Sequence, residues 1–167
     1  MKVVYQWWSA LVFAAIIVQV GLAGYGAFYV VGKTDNGGVA NDNTVSSGFD
    51  PHVAWGYLGI GLGTLILLIL GVIAGIGKWR LGKHGILFLL FILQVVLAGG
   101  GYSTPYLGFL HPVNALVMFT LSGSIAYSTW REARLAKEQG TAAAPAAQEP
   151  APVEQEAPPI AEQPAEM

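Results

Sequence analysis

Four stretches of this chain contain no Asp, Glu, Lys or Arg and are long enough to cross a bilayer as helices: roughly 3–32, 52–77, 84–102 and 109–130. A helical span needs about 20 mainly apolar residues. Composition agrees, with 54% of residues hydrophobic and 11% charged, where an ordinary soluble domain is roughly 25% charged. The expected fold is therefore all-α and integral to a membrane, a four-transmembrane-helix bundle over residues 1–137. No charge falls between His84 and Ser128, yet Gly99-Gly100-Gly101 and Ser103-Thr104-Pro105 interrupt the run. Glycine clusters and a proline after a polar pair punctuate helices, so this half reads as a hairpin.

Orientation follows from the cations, which are kept in excess on the cytoplasmic side. Lys78, Arg80 and Lys83 fill the second loop, Arg131, Arg134 and Lys137 follow the fourth helix, and Lys2 precedes the first. The first loop, Lys33 to Pro51, holds one Lys and three Asp. The chain is thus expected to be multi-pass in a bacterial inner (plasma) membrane, with both termini cytoplasmic. Trp7, Trp8, Trp79 and Trp130 then fall at the inner interface and Trp55 near the outer one, where indoles settle. A cleaved signal peptide is the alternative for the first span, but its apolar region exceeds the usual 7–15 residues.

Residues 138–167 are a different material: 9 Ala, 6 Pro, 6 Glu and 4 Gln make up 25 of the 30. Such a segment has too little apolar surface to offset its ordering entropy and is expected to be a disordered, acidic cytoplasmic tail. It reads either as a solubilising tail or as a docking strip for a basic cytoplasmic partner; the other expected partner is membrane lipid, and no nucleic acid is expected.

The chain has no cysteine, which excludes disulfides, thiolate metal sites, iron–sulfur clusters and covalent c-type haem. Three histidines remain. Two of them belong to an internal repeat. Gln19, Val20, Leu22, Ala23, Gly24 and Gly26 recur 75 residues later as Gln94, Val95, Leu97, Ala98, Gly99 and Gly101, and each copy precedes a helix expected to open with histidine, His52 or His111. An even number of crossings separates the copies, so they form two parallel helical-hairpin repeats related by an axis along the membrane normal. His52 and His111 should face each other at similar depth.

Helical neighbours of His52 at i+4 and i+7 are Gly56 and Gly59, followed by Gly63, a furrow free of side chains; those of His111 include Asn114, Ala115 and Met118. Gln19 and Gln94 add an amide from each remaining helix. The glycines alone also fit ordinary close packing of membrane helices. An ionisable group inside a membrane is by default a functional site with a partner, and these two name each other. In a first helical turn the macrodipole disfavours imidazolium, and neutral imidazole is the ligating form. Two opposed imidazoles suit a b-type haem, with His52 and His111 as the iron ligands. A bare zinc or copper ion is weaker, since Asp50 is the only nearby carboxylate. The bland alternative is that both histidines cap helix ends at the headgroup boundary. His84, beside Lys83 on the opposite side, reads as an interfacial residue touching lipid phosphate.

A Gln-x-x-Leu-Ala-Gly segment in the first and third helices, with histidines opening the second and fourth, resembles half of haem A synthase. The chain also resembles a family of small bacterial four-helix membrane proteins whose last helix begins Leu-His-Pro-x-Asn-Ala, as Leu110 to Ala115 do here. The likeness spans about residues 5–130. It implies that His52 and His111 are axial haem ligands. The chain departs from the synthase in having one bundle, no cysteine pair, and Asp50 where a Glu is expected, so the resemblance implies the haem pocket rather than the haem-modifying reaction.

The leading expectation is an integral membrane b-type cytochrome-like protein binding one haem b near the outer face. Its role would be electron transfer or membership of a larger membrane redox complex, rather than catalysis. The alternative is a non-redox scaffold or accessory subunit packing on other membrane helices. A small transporter ranks last because nothing charged lines a path, and a pigment held by the same histidines is a further reading.

Overall fold

The computed structural model describes residues 2–142, which form four helices: α1 (Lys2–Asp35), α2 (Asp42–Ala74), α3 (Lys78–Gly101) and α4 (Pro105–Ala142). All four are long and apolar enough to cross a membrane, and no strand occurs among the described residues. The expected tail boundary moves: residues 138–142 continue α4, and the remainder of that segment, 143–167, lies outside the described residues.

The helices begin earlier than their apolar runs. The Lys33–Pro51 loop contracts to a short turn because Asn41 caps α2, its Oδ1 accepting from the Thr44 N–H at 2.9 Å. Asp42 then sits in the first turn, where a negative charge meets the positive helix end. At α4, Pro105 opens the helix, a position where its missing N–H costs nothing. His52 and His111 are consequently the eleventh and seventh residues of their helices rather than first-turn residues. The macrodipole argument for keeping them neutral does not apply, since that effect fades beyond the first turn. Between α2 and α3 the chain reverses through Gly75 (φ +63°) and Gly77 (φ +85°), positive φ values that favour glycine; Lys78, Arg80 and Lys83, expected in the second loop, therefore lie in the first turns of α3.

Each helix touches two others, giving the closed ring α1–α2–α3–α4, and no backbone contact joins the diagonal pairs α1/α3 or α2/α4. The centre is filled by Val12, Ile16, Ile60, Leu67, Leu87, Met118 and Ile125. Buried hydroxyls bond back within their own helices: Ser9 donates to the Gln6 carbonyl, Thr64 to Ile60 and Ser122 to Phe119. The exterior is apolar, with Phe28, Leu58, Leu89 and Leu116 exposed.

Inside α2 the ladder widens to a π-helix over Gly56–Gly61, with the Leu62 N–H reaching back to the Tyr57 carbonyl. Three glycines in six residues make the α-form weak here. The Trp55 ring lies over Gly59 so closely that a Cβ there would come within 2.7 Å of it.

The turn at the far end of α3/α4 depends on Gly101, whose added Cβ would lie 2.8 Å from the Gly108 backbone. Gly101→Ala should destabilise the bundle by about 1–3 kcal/mol. Gly85→Ala, with nothing within 4 Å of the new Cβ, should be neutral or stabilising by up to about 1 kcal/mol. Denaturant-dependent unfolding in detergent reports both.

Candidate functional site

A cavity of about 320 Å³ lies among the four helices toward one end of the bundle, lined by Gln19, His52 and Gly56 on one side and Gln94, His111 and Ala115 on the other. None of its lining residues is an acid, lysine or arginine. His52 and His111 come from the diagonal pair α2 and α4, and their ring centroids are 6.3 Å apart with the planes at 60°. These side chains reach each other where the backbones do not.

Each imidazole is held by the neighbouring helix. His52 Nδ1 is 3.2 Å from the Gln19 carbonyl and His111 Nδ1 is 3.1 Å from the Gln94 carbonyl. A carbonyl oxygen only accepts, so both Nδ1 atoms carry the proton and both Nε2 atoms present a lone pair. A second pair of bonds lies one turn away: the Trp55 Nε1–H donates to the Ala15 carbonyl and the Asn114 amide to the Leu90 carbonyl, both at 2.9 Å. The acceptors in both pairs are 75 residues apart and the donors 59 apart.

The two glutamine side chains behave differently. Gln94 Oε1 accepts from Asn114 Nδ2 at 2.6 Å. Gln19 Nε2 instead donates to the His52 carbonyl at 3.0 Å and lies 3.3 Å from His52 Nε2. Its own Oε1 is buried with no partner.

Gly59 and Gly63 do not join this site. They line a separate groove of about 480 Å³ between α1 and α2, flanked by Trp8 and Trp55. The π-turn is the reason: with i→i+5 bonds a turn takes more residues, so Ile60 rather than Gly59 returns beneath Gly56 to line the cavity. Trp8 donates its indole N–H to the Gly63 carbonyl at 2.9 Å in this groove. Asn114 supports the site through Gln94 rather than lining the cavity. Asp50 is exposed, and no group of three or more His, Cys, Asp or Glu gathers among the described residues.

The third histidine departs from its expected lipid-phosphate contact. His84 is 1% exposed, lodged against Gly71, and its Nδ1 donates to the Arg80 carbonyl at 2.7 Å. Its Nε2 is therefore free to accept from the Tyr5 hydroxyl at 3.0 Å. Thr129 lies 3.4 Å from that hydroxyl, and Arg80 reaches Thr129 and pairs with the Glu132 carboxylate. This network bridges the other diagonal, α1 to α3, at the opposite end of the bundle. Lys83 misleads about its neighbour because consecutive helical residues point about 100° apart. Pairing with a tyrosine 79 residues away leaves no local trace.

No protein-family model, curated protein or solved structure matches this chain.

His84→Ala leaves the buried Tyr5 hydroxyl without its acceptor and should cost about 1–3 kcal/mol. Tyr5→Phe in that background should recover part of the loss, giving a coupling of about 0.5–3 kcal/mol in a double-mutant cycle of unfolding free energies.

Proposed function

We propose that this chain is a multi-pass membrane protein that holds one haem b between His52 and His111 and serves electron transfer, alone or as a subunit of a larger redox complex. The observation that carries this reading is the pair of opposed imidazoles, each fixed through Nδ1 to a backbone carbonyl with Nε2 left basic. That is the arrangement in which an outer partner sets tautomer and ring orientation for a ligating histidine. An imidazole nitrogen sits about 2 Å from its metal, and roughly 1 Å from its own ring centre. A single metal atom shared by two such rings would space their centroids by about 6 Å, and the centroids here are 6.3 Å apart.

The lining fits the same group. One turn beyond each histidine stand Gly56 and Ala115, which leave the space beside the imidazoles open, and the volume falls within the roughly 300–1,000 Å³ of small-molecule sites. A bis-histidine haem supplies a reversible one-electron iron couple. The residues of this chain bind and orient it and surround it with an uncharged, largely apolar wall. A zinc or copper ion is less well served, because the two imidazoles gain no third ligand among the described residues. The half-module resemblance to haem A synthase points the same way. The matched 75- and 59-residue offsets support two parallel hairpin repeats, with the histidine pair toward the outer face and both termini cytoplasmic.

A second reading, an accessory subunit that packs on other membrane helices, draws on the open groove containing Gly59 and Gly63.

The purified protein should show a sharp low-spin reduced-minus-oxidised spectrum at about one haem per chain, as a bis-histidine b-type site requires. His52→Ala and His111→Ala should each abolish or convert it, and His84→Ala should leave it in place. A folded, colourless protein favours the packing subunit instead. The absence of native cysteine also makes topology testable: with impermeant maleimide applied outside intact cells, Val39→Cys and Ser103→Cys should label and Lys78→Cys should not.

A further inference from the structure

Resting on the haem reading, we propose that Gln19 is a removable cap on His52, so that His111 is the fixed ligand of the pair and His52 the displaceable one. The two halves of the site share their backbone bonds and differ in their amides. On the α3/α4 side, Asn114 donates to Gln94 Oε1 at 2.6 Å and is itself anchored on α3 through the Leu90 carbonyl. The Gln94 amide is thereby tied down, and no hydrogen bond joins it to the His111 ring. On the α1/α2 side, the residue matching Asn114 is Trp55, which bonds the Ala15 carbonyl and not the Gln19 amide. That amide lies across His52, 3.3 Å from Nε2 and 3.0 Å from its carbonyl.

An amide N–H on Nε2 occupies the lone pair that a metal needs. Iron and Gln19 therefore compete for one atom of His52, whereas His111 Nε2 has no such competitor. The orphaned Gln19 Oε1 shows that the amide adopts this pose at a cost, since a buried acceptor without a partner is unfavourable. The cap can thus be given up as well as taken up. With haem bound, Gln19 would hold a released His52 away from the metal, leaving His111 as the remaining protein ligand and the other side open to a small neutral ligand such as carbon monoxide; the exchange would be a ligand substitution in which no electron or proton moves. Gln19 acts as a positioning residue through His52.

The test uses Gln19→Leu and Gln19→Met in the full chain, which remove the amide and keep the backbone carbonyl that orients His52. In haem-free protein in detergent, diethyl pyrocarbonate acylates unprotonated, accessible imidazole nitrogen, and peptide mass spectrometry resolves each site. His111 should react about five- to tenfold faster than His52, the size of effect one hydrogen bond carries. Either variant should raise His52 to the His111 rate, with buried His84 unreactive throughout. In protein loaded with haem b and reduced, carbon monoxide binding should slow by a similar factor in both variants, because freed His52 is no longer captured. Equal reactivity of His52 and His111 in the unaltered protein, or His52 unchanged in both variants, overturns the cap. Unaltered carbon monoxide kinetics in both variants overturn the labile-ligand role. A chain that takes up no haem overturns the cofactor reading and ligand exchange with it, while the acylation result still decides the cap.

Discussion

A polar side chain inside a bundle with an apolar exterior must find its hydrogen bonds within the protein, and the arrangement of these four helices follows from meeting that demand. The buried Ser9, Thr64 and Ser122 hydroxyls return to their own helices, whereas the Tyr5 hydroxyl and the imidazoles reach across to other helices. Each histidine Nδ1 donates to a backbone carbonyl, His52 to Gln19 and His111 to Gln94 on a neighbouring helix and His84 to Arg80 on its own. All three are thereby fixed as the Nδ1–H tautomer with Nε2 facing inward.

The same bonds explain how a ring of helices holds its diagonals. The backbones of α2 and α4 do not meet, nor do those of α1 and α3. At one end His52 and His111 span the first diagonal across a cavity; at the other, His84 and Tyr5 span the second through a direct hydrogen bond. One end is closed by a network running out to Arg80 and Glu132, and the other keeps a cavity between His52 and His111. A fully satisfied buried network rigidifies what it touches, so the closed end serves as the foundation on which the open end keeps its spacing. This division of labour, one rigid end and one receptive end, underlies the proposed cofactor site.

Much of this was readable from residue order, and the parts that were not have specific causes. The four apolar runs and the break before Pro105 depend on local chemistry. The pairing of His52 with His111 was legible because the Gln-Val-x-Leu-Ala-Gly segment occurs twice at a fixed offset. The helix starts were misplaced because hydrophobicity marks where a helix is apolar, whereas Asn41 and Pro105 mark where it begins. An uninterrupted 3.6-residue period puts Gly59 and Gly63 below His52, and one π-turn rotates the residues after Gly56 out of that phase.

The sequence by itself determined the class of object: four apolar helices, the break before Pro105 and a matched pair of histidines, since propensity, punctuation and internal repetition are properties of neighbouring residues. Only the tertiary structure decided which glycines line the cavity, that His84 is buried on Tyr5, and that Gln94 is tied to Asn114 while Gln19 lies on His52. Those outcomes rest on hydrogen bonds between different helices and on the phase set by one widened turn. In each case the deciding partner lies in a part of the chain that local pattern does not reach.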